Sequence, residues 1–363
     1  MFKRSVNMTM HRSAGAVKAW MAMAMLLAVA FFPRNAGGCA APVFRYVLER
    51  WPADVCTLIV FHRGPMTGTE TIMSNLLTAR CENPQAPINV VIRWEDVDHL
   101  QDPALMDLWS KSTEKPLPWA MLLYPEPGGM RRQQMSGRLP PAAMGRPLPP
   151  GMPPGMPGAK SVAWEGPAIA DELGRVLDSP VRQEIARRIL GGDSAVWLFI
   201  PGGNAPRDAA SLGALTNRLA QLETELSLPT DEPANPSLNV HSALPLRLSF
   251  PVVMARRDDP AERNFVNMLE HAMQPPLPAG EAHVFYFFGK GRVMNGAAEN
   301  GLTPEAIKQA CAFLVQSCSC MIKDQVQGMS FHVPMAANWR PVDRQPGNPI
   351  DLSVPTLPTP SAP

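Results

Sequence analysis

Proline decides where this chain can fold. It holds 41 prolines in 363 residues, well above the roughly 5% of ordinary proteins, and much of the excess falls in two stretches. Residues 125–158 include Pro149-Pro150-Gly151-Met152-Pro153-Pro154-Gly155-Met156-Pro157, and the chain turns proline-rich again from Gly328. Each proline removes a backbone donor and blocks the preceding helical turn. Such composition also lacks the apolar surface that would offset the entropy of ordering it. We expect 125–158 to be a disordered insertion and 328–363 a proline-rich tail. What remains for packing is 43–190 without its insertion and 193–325, two modest domains by length.

Those two stretches carry the same order of elements. Thr57 to Phe61 is a β-branched and aromatic run without helical period, so it reads as a buried strand. Thr67-Gly68-Thr69-Glu70 has capping-box spacing and opens a helix with Ile72, Leu76 and Ala79 on one face. Ile88–Ile92 (strand), Pro103–Trp109 (helix), Trp119–Tyr124 and Ser161–Trp164 (strands) and a helical stretch to about Leu190 follow. From Ala195 the order recurs. Ala195–Ile200 is a strand, and a helix with Leu212, Leu215, Leu219, Leu222 and Leu226 on one stripe follows it. Then come a strand over Leu246–Met254, a helix after Asp259-Pro260, a hairpin around Gly289-Lys290-Gly291 and a helix from Thr303-Pro304.

The first 38 residues have another use. Lys3, Arg4, Arg12 and Lys18 precede the apolar run Ala19–Phe32, which is short for a membrane span and suits an export signal. Ala36-Gly37-Gly38-Cys39 resembles the lipobox of bacterial lipoproteins, with Ala36 where leucine is usual, and implies lipid attachment at Cys39. Ordinary cleavage after Ala40 satisfies the small-x-small rule as well. Either way the chain is expected outside the cytoplasm, periplasmic or facing the outer membrane. A net charge of +1 with dispersed Lys and Arg leaves no footprint for nucleic acid.

The repeated strand-helix-strand start, hairpin and covering helix resemble the thioredoxin fold twice over. This implies an α/β protein of two thioredoxin-like βαβαββα domains in tandem, with the insertion between the hairpin strands of the first. Pro42-Val43-Phe44-Arg45-Tyr46, Leu48 to Asp54 (LERWPAD), Val60 to Pro65 (VFHRGP) and Cys318-Ser319-Cys320 also resemble an uncharacterised family of secreted bacterial proteins. That likeness implies an architecture and no mechanism.

A thioredoxin-like oxidoreductase needs a cysteine pair where the first strand meets the first helix, because the helix N-terminus there favours the thiolate. The two corresponding slots read His62-Arg63-Gly64-Pro65 and Pro201-Gly202-Gly203-Asn204, without cysteine. Cys56 and Cys81, at one edge of a strand-helix unit, are candidates for a structural disulfide. Cys311 lies on an apolar stripe and reads as a core thiol. Cys318 and Cys320, just past a helix end, are exposed candidates for a labile redox pair, a structural bond or soft-metal ligands. His62, Arg63 and Gly64 before a capped helix could hold a small anion, although three polar residues there also make an ordinary turn. Glu95, Asp96, Asp98 and His99 read as a solvated loop, and no metal or cofactor is expected.

The resulting expectation is an exported, lipid-anchored, redox-inactive binding or scaffold protein, an accessory subunit of a membrane complex. The alternatives are a thiol-disulfide oxidoreductase using Cys318 and Cys320, and a Cu(I)-handling protein using that pair or Met130, Met135, Met144, Met152 and Met156.

Overall fold

The structure, a computed structural model, describes residues 39–112, 115–125, 161–229, 242–318, 326 and 330–343. The signal segment and the 125–158 insertion beyond Pro125 lie outside the described residues, as do Cys320 and 344–363.

Strand β2 (Cys56–His62) is buried along nearly its whole length, with Leu58 to Phe61 packed on both of its faces. It pairs in parallel with β3 (Val90–Asp96) and antiparallel with β4 (Trp119–Leu123), which pairs antiparallel with β5 (Val162–Pro167). The sheet order is β3-β2-β4-β5. In the second half, β6 (Val196–Ile200) runs parallel to β7 (Val252–Met254) and antiparallel to β8 (His283–Phe288), and β9 (Arg292–Ala298) closes the hairpin. Four neighbours in the second sheet thus repeat the first in order and polarity. A further strand, β11 (Ser330–His332), is added beyond β9. A separate two-stranded ladder joins β1 (Cys39–Pro42) to β10 (Ser317–Cys318). The chain is α/β with mixed sheets.

Helix α1 (Val43–Arg50) follows β1 and escapes the sequence reading altogether. Arg45 lies inside it and is buried. Its guanidinium donates to the carbonyls of Leu244 at 2.7 Å and Pro245 at 3.1 Å, and to Glu49 at 2.8 Å. A charged residue on the packed face hides the period that would have revealed the helix. Helix α2 (Gly68–Cys81) begins with the expected capping box: Glu70 N–H donates to Thr67 Oγ1 at 3.2 Å, and Thr67 N–H to Glu70 Oε2 at 2.7 Å. Its packed face is Met73, Leu77 and Cys81, rather than the expected Ile72, Leu76 and Ala79. Ile72 and Leu76 are 62% and 63% exposed. Thr67→Ala is expected to cost about 1 kcal/mol, read as a lower urea midpoint with an unchanged slope.

Helix α3 (Pro103–Ser110) covers one face of the first sheet, placing Leu105 and Trp109 on Ile59, Phe61 and Met121. The other face turns Leu58, Val60 and Leu122 into a cluster that α2 joins. So do α4 (Ala170–Leu177), α5 (Pro180–Leu190) and α7 (Arg263–His271). The same cluster takes in Val196, Leu198 and Ile200 of β6 and Phe285 and Phe287 of β8. One apolar core therefore spans both halves. On the far side of the second sheet, Trp197 and Phe199 meet α1, α6 (Ala205–Glu225) and α8 (Pro304–Val315). The alternation of Trp197 and Phe199 with Leu198 and Ile200 is the period-two rule of a strand buried on both sides.

The tail reading for 328–363 does not hold for residues 330–343. After β11, the chain crosses to the first sheet, where Asn89 Nδ2 donates to Val333 O at 3.2 Å and Met335 N–H to Asn89 Oδ1 at 2.7 Å. Ala337 N–H donates to Pro87 O at 3.2 Å, and α9 (Arg340–Asp343) follows. Phe331, Val333 and Met335 are buried despite the flanking prolines, because backbone bonds to both halves satisfy this irregular segment.

Candidate functional site

The end of β2 and the N-terminus of α2 bring His62, Arg63 and Gly64 to one turn. Gly64 takes φ 65°, the left-handed conformation that glycine tolerates. Its N–H donates to Asp96 Oδ1 at 3.1 Å, because the parallel register sets the end of β3 opposite His62. Asp96 also accepts from Asp98 N–H at 3.1 Å, and its Oδ2 lies 2.8 Å from His99 Nδ1. Hydrogen bonding from His99 and then from Asp98 and Gly64 holds the Asp96 carboxyl down to about 2, and Asp96 holds the His99 imidazole above its usual value. Arg63 is exposed, 3.3 Å from Asp98. Gly64 N–H and Arg63 thus face this chain's own carboxylates. His62 is buried with Nδ1 lacking a hydrogen-bond partner, its ring centroid 6.1 Å from that of Trp94. The pairing of Phe61 with Trp119 places Pro118 beside this end of β2, and the Leu117–Pro118 peptide is cis.

The turn after β6 is closed in the same way. Gly202 N–H and Gly203 N–H donate to the two oxygens of Asp208 at 2.8 and 3.0 Å, and Arg207 N–H donates to Asn204 Oδ1 at 3.2 Å. Behind it, Arg257 donates to Glu270 Oε1 at 2.9 Å and to the Pro201 carbonyl. His283 Nδ1 lies 2.7 Å from the same carboxylate oxygen. Burial opposes ionisation of Glu270 but is outweighed by hydrogen bonds from His283 and Arg257, so its carboxyl stays below the usual range. A Cβ on Gly202 would sit 2.6 Å from the Glu281 carbonyl carbon. Gly202→Ala is therefore expected to cost about 1–3 kcal/mol, measured by urea denaturation.

The cysteines fall differently from the sequence reading. Cys56 and Cys81 are separate buried thiols, and Cys56 Sγ points to the His332 carbonyl at 3.9 Å. The candidate bridge between them is not formed, which leaves the alternative of two isolated thiols. Desolvation raises both, Cys81 to about 11, so neither supplies a thiolate near neutral pH. Cys311 is a core thiol, pushed up to about 12 by burial. Cys318 is 1% exposed in β10, not at the surface as expected, because its strand lies under α1. Cys39 occupies β1, its backbone opposite Cys318. The methionines of the insertion lie outside the described residues. Among the described residues no cluster of three or more His, Cys, Asp or Glu is placed to hold a metal, and no helix is long and apolar enough to cross a membrane.

One polar cluster went unseen in the sequence. Asp54, from the Trp51-Pro52-Ala53-Asp54 stretch, meets Arg292 of β9 at 3.0 Å and His332 of β11 at 3.1 Å. Arg292 also donates to Ser330 Oγ at 3.0 Å and lies over the Trp51 ring at 5.3 Å. Burial opposes ionisation of Asp54, yet His332 and Arg292 together hold its carboxyl down at about 2. Burial, then the neighbouring Arg292 charge, pushes His332 down to about 4, so it is neutral at pH 7. Sequence separations of 238 and 278 residues explain why no local spacing announced it. With His332 and Arg292 almost wholly enclosed, the cluster joins elements and offers no open face to a substrate.

Compared with protein-family models, curated proteins and solved structures, the chain matches none.

Proposed function

We propose that this is an exported, redox-inactive binding or scaffold protein of the cell envelope, built from two thioredoxin-like halves. The sheet orders β3-β2-β4-β5 and β7-β6-β8-β9, with the same polarity in each, support the thioredoxin-like reading. The observation that carries the functional part is the chemistry of the two strand–helix turns. Each has a carboxylate, Asp96 or Asp208, on its glycine N–H groups in place of a nucleophilic thiol. Asp208 belongs to the first turn of α6 and Asp96 reaches its turn from the end of β3; in both turns the acceptor is a carboxylate. It satisfies the turn and leaves it without a nucleophile. The fold then offers a rigid surface, with Pro118 beside the end of β2 at one end of the first sheet, against which an extended peptide could lie.

The reading predicts a protein partner. Gentle solubilisation of envelopes after brief crosslinking is expected to recover the chain with a membrane-complex component in constant ratio. Repeated recovery of the chain alone contradicts it. The oxidoreductase alternative is disfavoured by the burial of Cys318, since thiol–disulfide exchange needs an accessible thiolate.

A further inference from the structure

Strand β3 stands at one end of the first sheet, and no strand pairs beyond it among the described residues. Its ladder with β2 runs without a register shift from Cys56 opposite Val90 to His62 opposite Asp96. Cys56 N–H donates to Asn89 O and Val97 N–H to His62 O, both at 2.9 Å, which turns the odd-numbered residues of β3 toward β2. The N–H and C=O groups of Ile92 and Trp94 are therefore turned outward along the edge. The segment after β11 meets this edge only at its start, where Ala336 bridges Ile88 and Ala337 N–H donates to Pro87 O. The other edges of the two large sheets are blunted. Strands β7 and β11 have three residues each, and β5 ends in Pro167 and shifts register against β4.

The side chains along β3 are complementary to a reversed copy of themselves. Val91 is 52% exposed, and the exposed Arg93 guanidinium lies 2.6 Å from the Glu95 carboxylate. An antiparallel copy of β3, set with Trp94 opposite Trp94, puts Arg93 of each copy opposite Glu95 of the other and Val91 opposite Val97. Opposed residues share a face, so both ion pairs and both valine pairs fall on one side of the sheet. Registers centred on Arg93 or on Glu95 instead set like charges opposite one another, which is unfavourable.

We propose that β3 is a dimerisation edge, at which a second copy of the chain adds antiparallel about a two-fold axis at Trp94. The contact is isologous and therefore closes at two copies. Backbone groups of Ile92 and Trp94 gain partners, and the two four-stranded sheets become continuous. The proposal does not depend on the envelope reading, and its failure leaves that reading as it stands.

Sedimentation velocity of the purified full chain, from micromolar to hundreds of micromolar concentration, tests it. The expected result is a monomer–dimer equilibrium. Arg93→Glu and Glu95→Arg should each raise the dimer Kd about tenfold, since each replaces two opposed ion pairs by two like-charge pairs. An equimolar mixture of the two variants should associate more tightly than either alone, because every opposed pair in the mixed dimer carries opposite charges. The mixture also separates a loss of pairing from a loss of fold, and unchanged urea midpoints for both variants are expected. A monomer throughout the series, a dimer that ignores both substitutions, or a mixture that associates no better than its components would overturn the proposal.

Discussion

Arg182→Met is expected to destabilise the fold by about 3–5 kcal/mol, a large share of the roughly 5–15 kcal/mol that holds a typical protein together. Arg182 is fully buried. It donates to Arg175 O at 2.7 Å, Val176 O at 2.9 Å, Pro334 O at 3.1 Å and Ser179 Oγ at 3.1 Å, with its guanidinium over the Phe265 ring. One side chain thus ties the end of α4, the start of α5 and the segment after β11. Burial lowers it to about 10, against the raising effect of Asp178 and Glu262, so it stays charged at neutral pH. Methionine fills much of the volume but leaves three carbonyls without that donor, and each unsatisfied buried acceptor costs about 1–3 kcal/mol. Arg182→Lys should recover only part of the loss, because an ammonium cannot reproduce the planar fork. Urea unfolding of both variants measures this. A loss below 1 kcal/mol for Arg182→Met would show that the clamp contributes little.

Asp54→Ala should have an effect of similar size, about 3–5 kcal/mol, because it leaves Arg292 beside His332 with no countercharge. Its signature is the pH profile. The folded His332 sits at about 4 against an ordinary 6.5, so it is a base whose protonated form is disfavoured by folding. Its contribution is complete above pH 6.5. As pH falls from 6.5 to 4 the unfolded chain binds a proton that the folded chain refuses, and about 1.4 kcal/mol is lost per pH unit. Asp54 is an acid held down at about 2 against an ordinary 3.8. Its contribution is complete above 3.8 and disappears as pH falls toward 2. The wild type should lose stability steadily from pH 6.5 downward, and His332→Gln should flatten the part between 6.5 and 4. Asp54→Ala and Arg292→Met together should cost less than the sum of the two, since the pair is then removed without an orphan charge. Additive losses would contradict a coupled cluster.

How much of this was legible depended on the range of the contacts. The runs at Thr57–Phe61 and Ala195–Ile200 announced β2 and β6 because strands covered on both faces need apolar residues at nearly every position. The Thr67 capping box announced α2 because it is a contact across three residues. The face of α2 was misread because two apolar stripes sit one residue apart on it. Only the neighbouring sheet selects Met73 and Leu77 over Ile72 and Leu76. Helix α1 and the 330–343 segment were missed for a related reason. A buried arginine and a proline-rich flank both look like surface, and the partners that reverse this lie across the fold. At the turns the absence of cysteine was plain from sequence. Asp96 and Asp208 were not recognised as the groups that occupy those turns, since only the register of β3 and the first turn of α6 bring them there.

The claim that matters most is that the strand–helix turns do no thiol chemistry and that no other pair replaces them. Turnover of a small disulfide substrate by the purified protein, with a thiol donor present, tests it directly. The account predicts a rate equal to the donor alone, unchanged by replacing Cys318 and Cys320 with serine. Reduction well above that background, lost in the double variant while the fold is retained, would contradict it and make this chain an oxidoreductase.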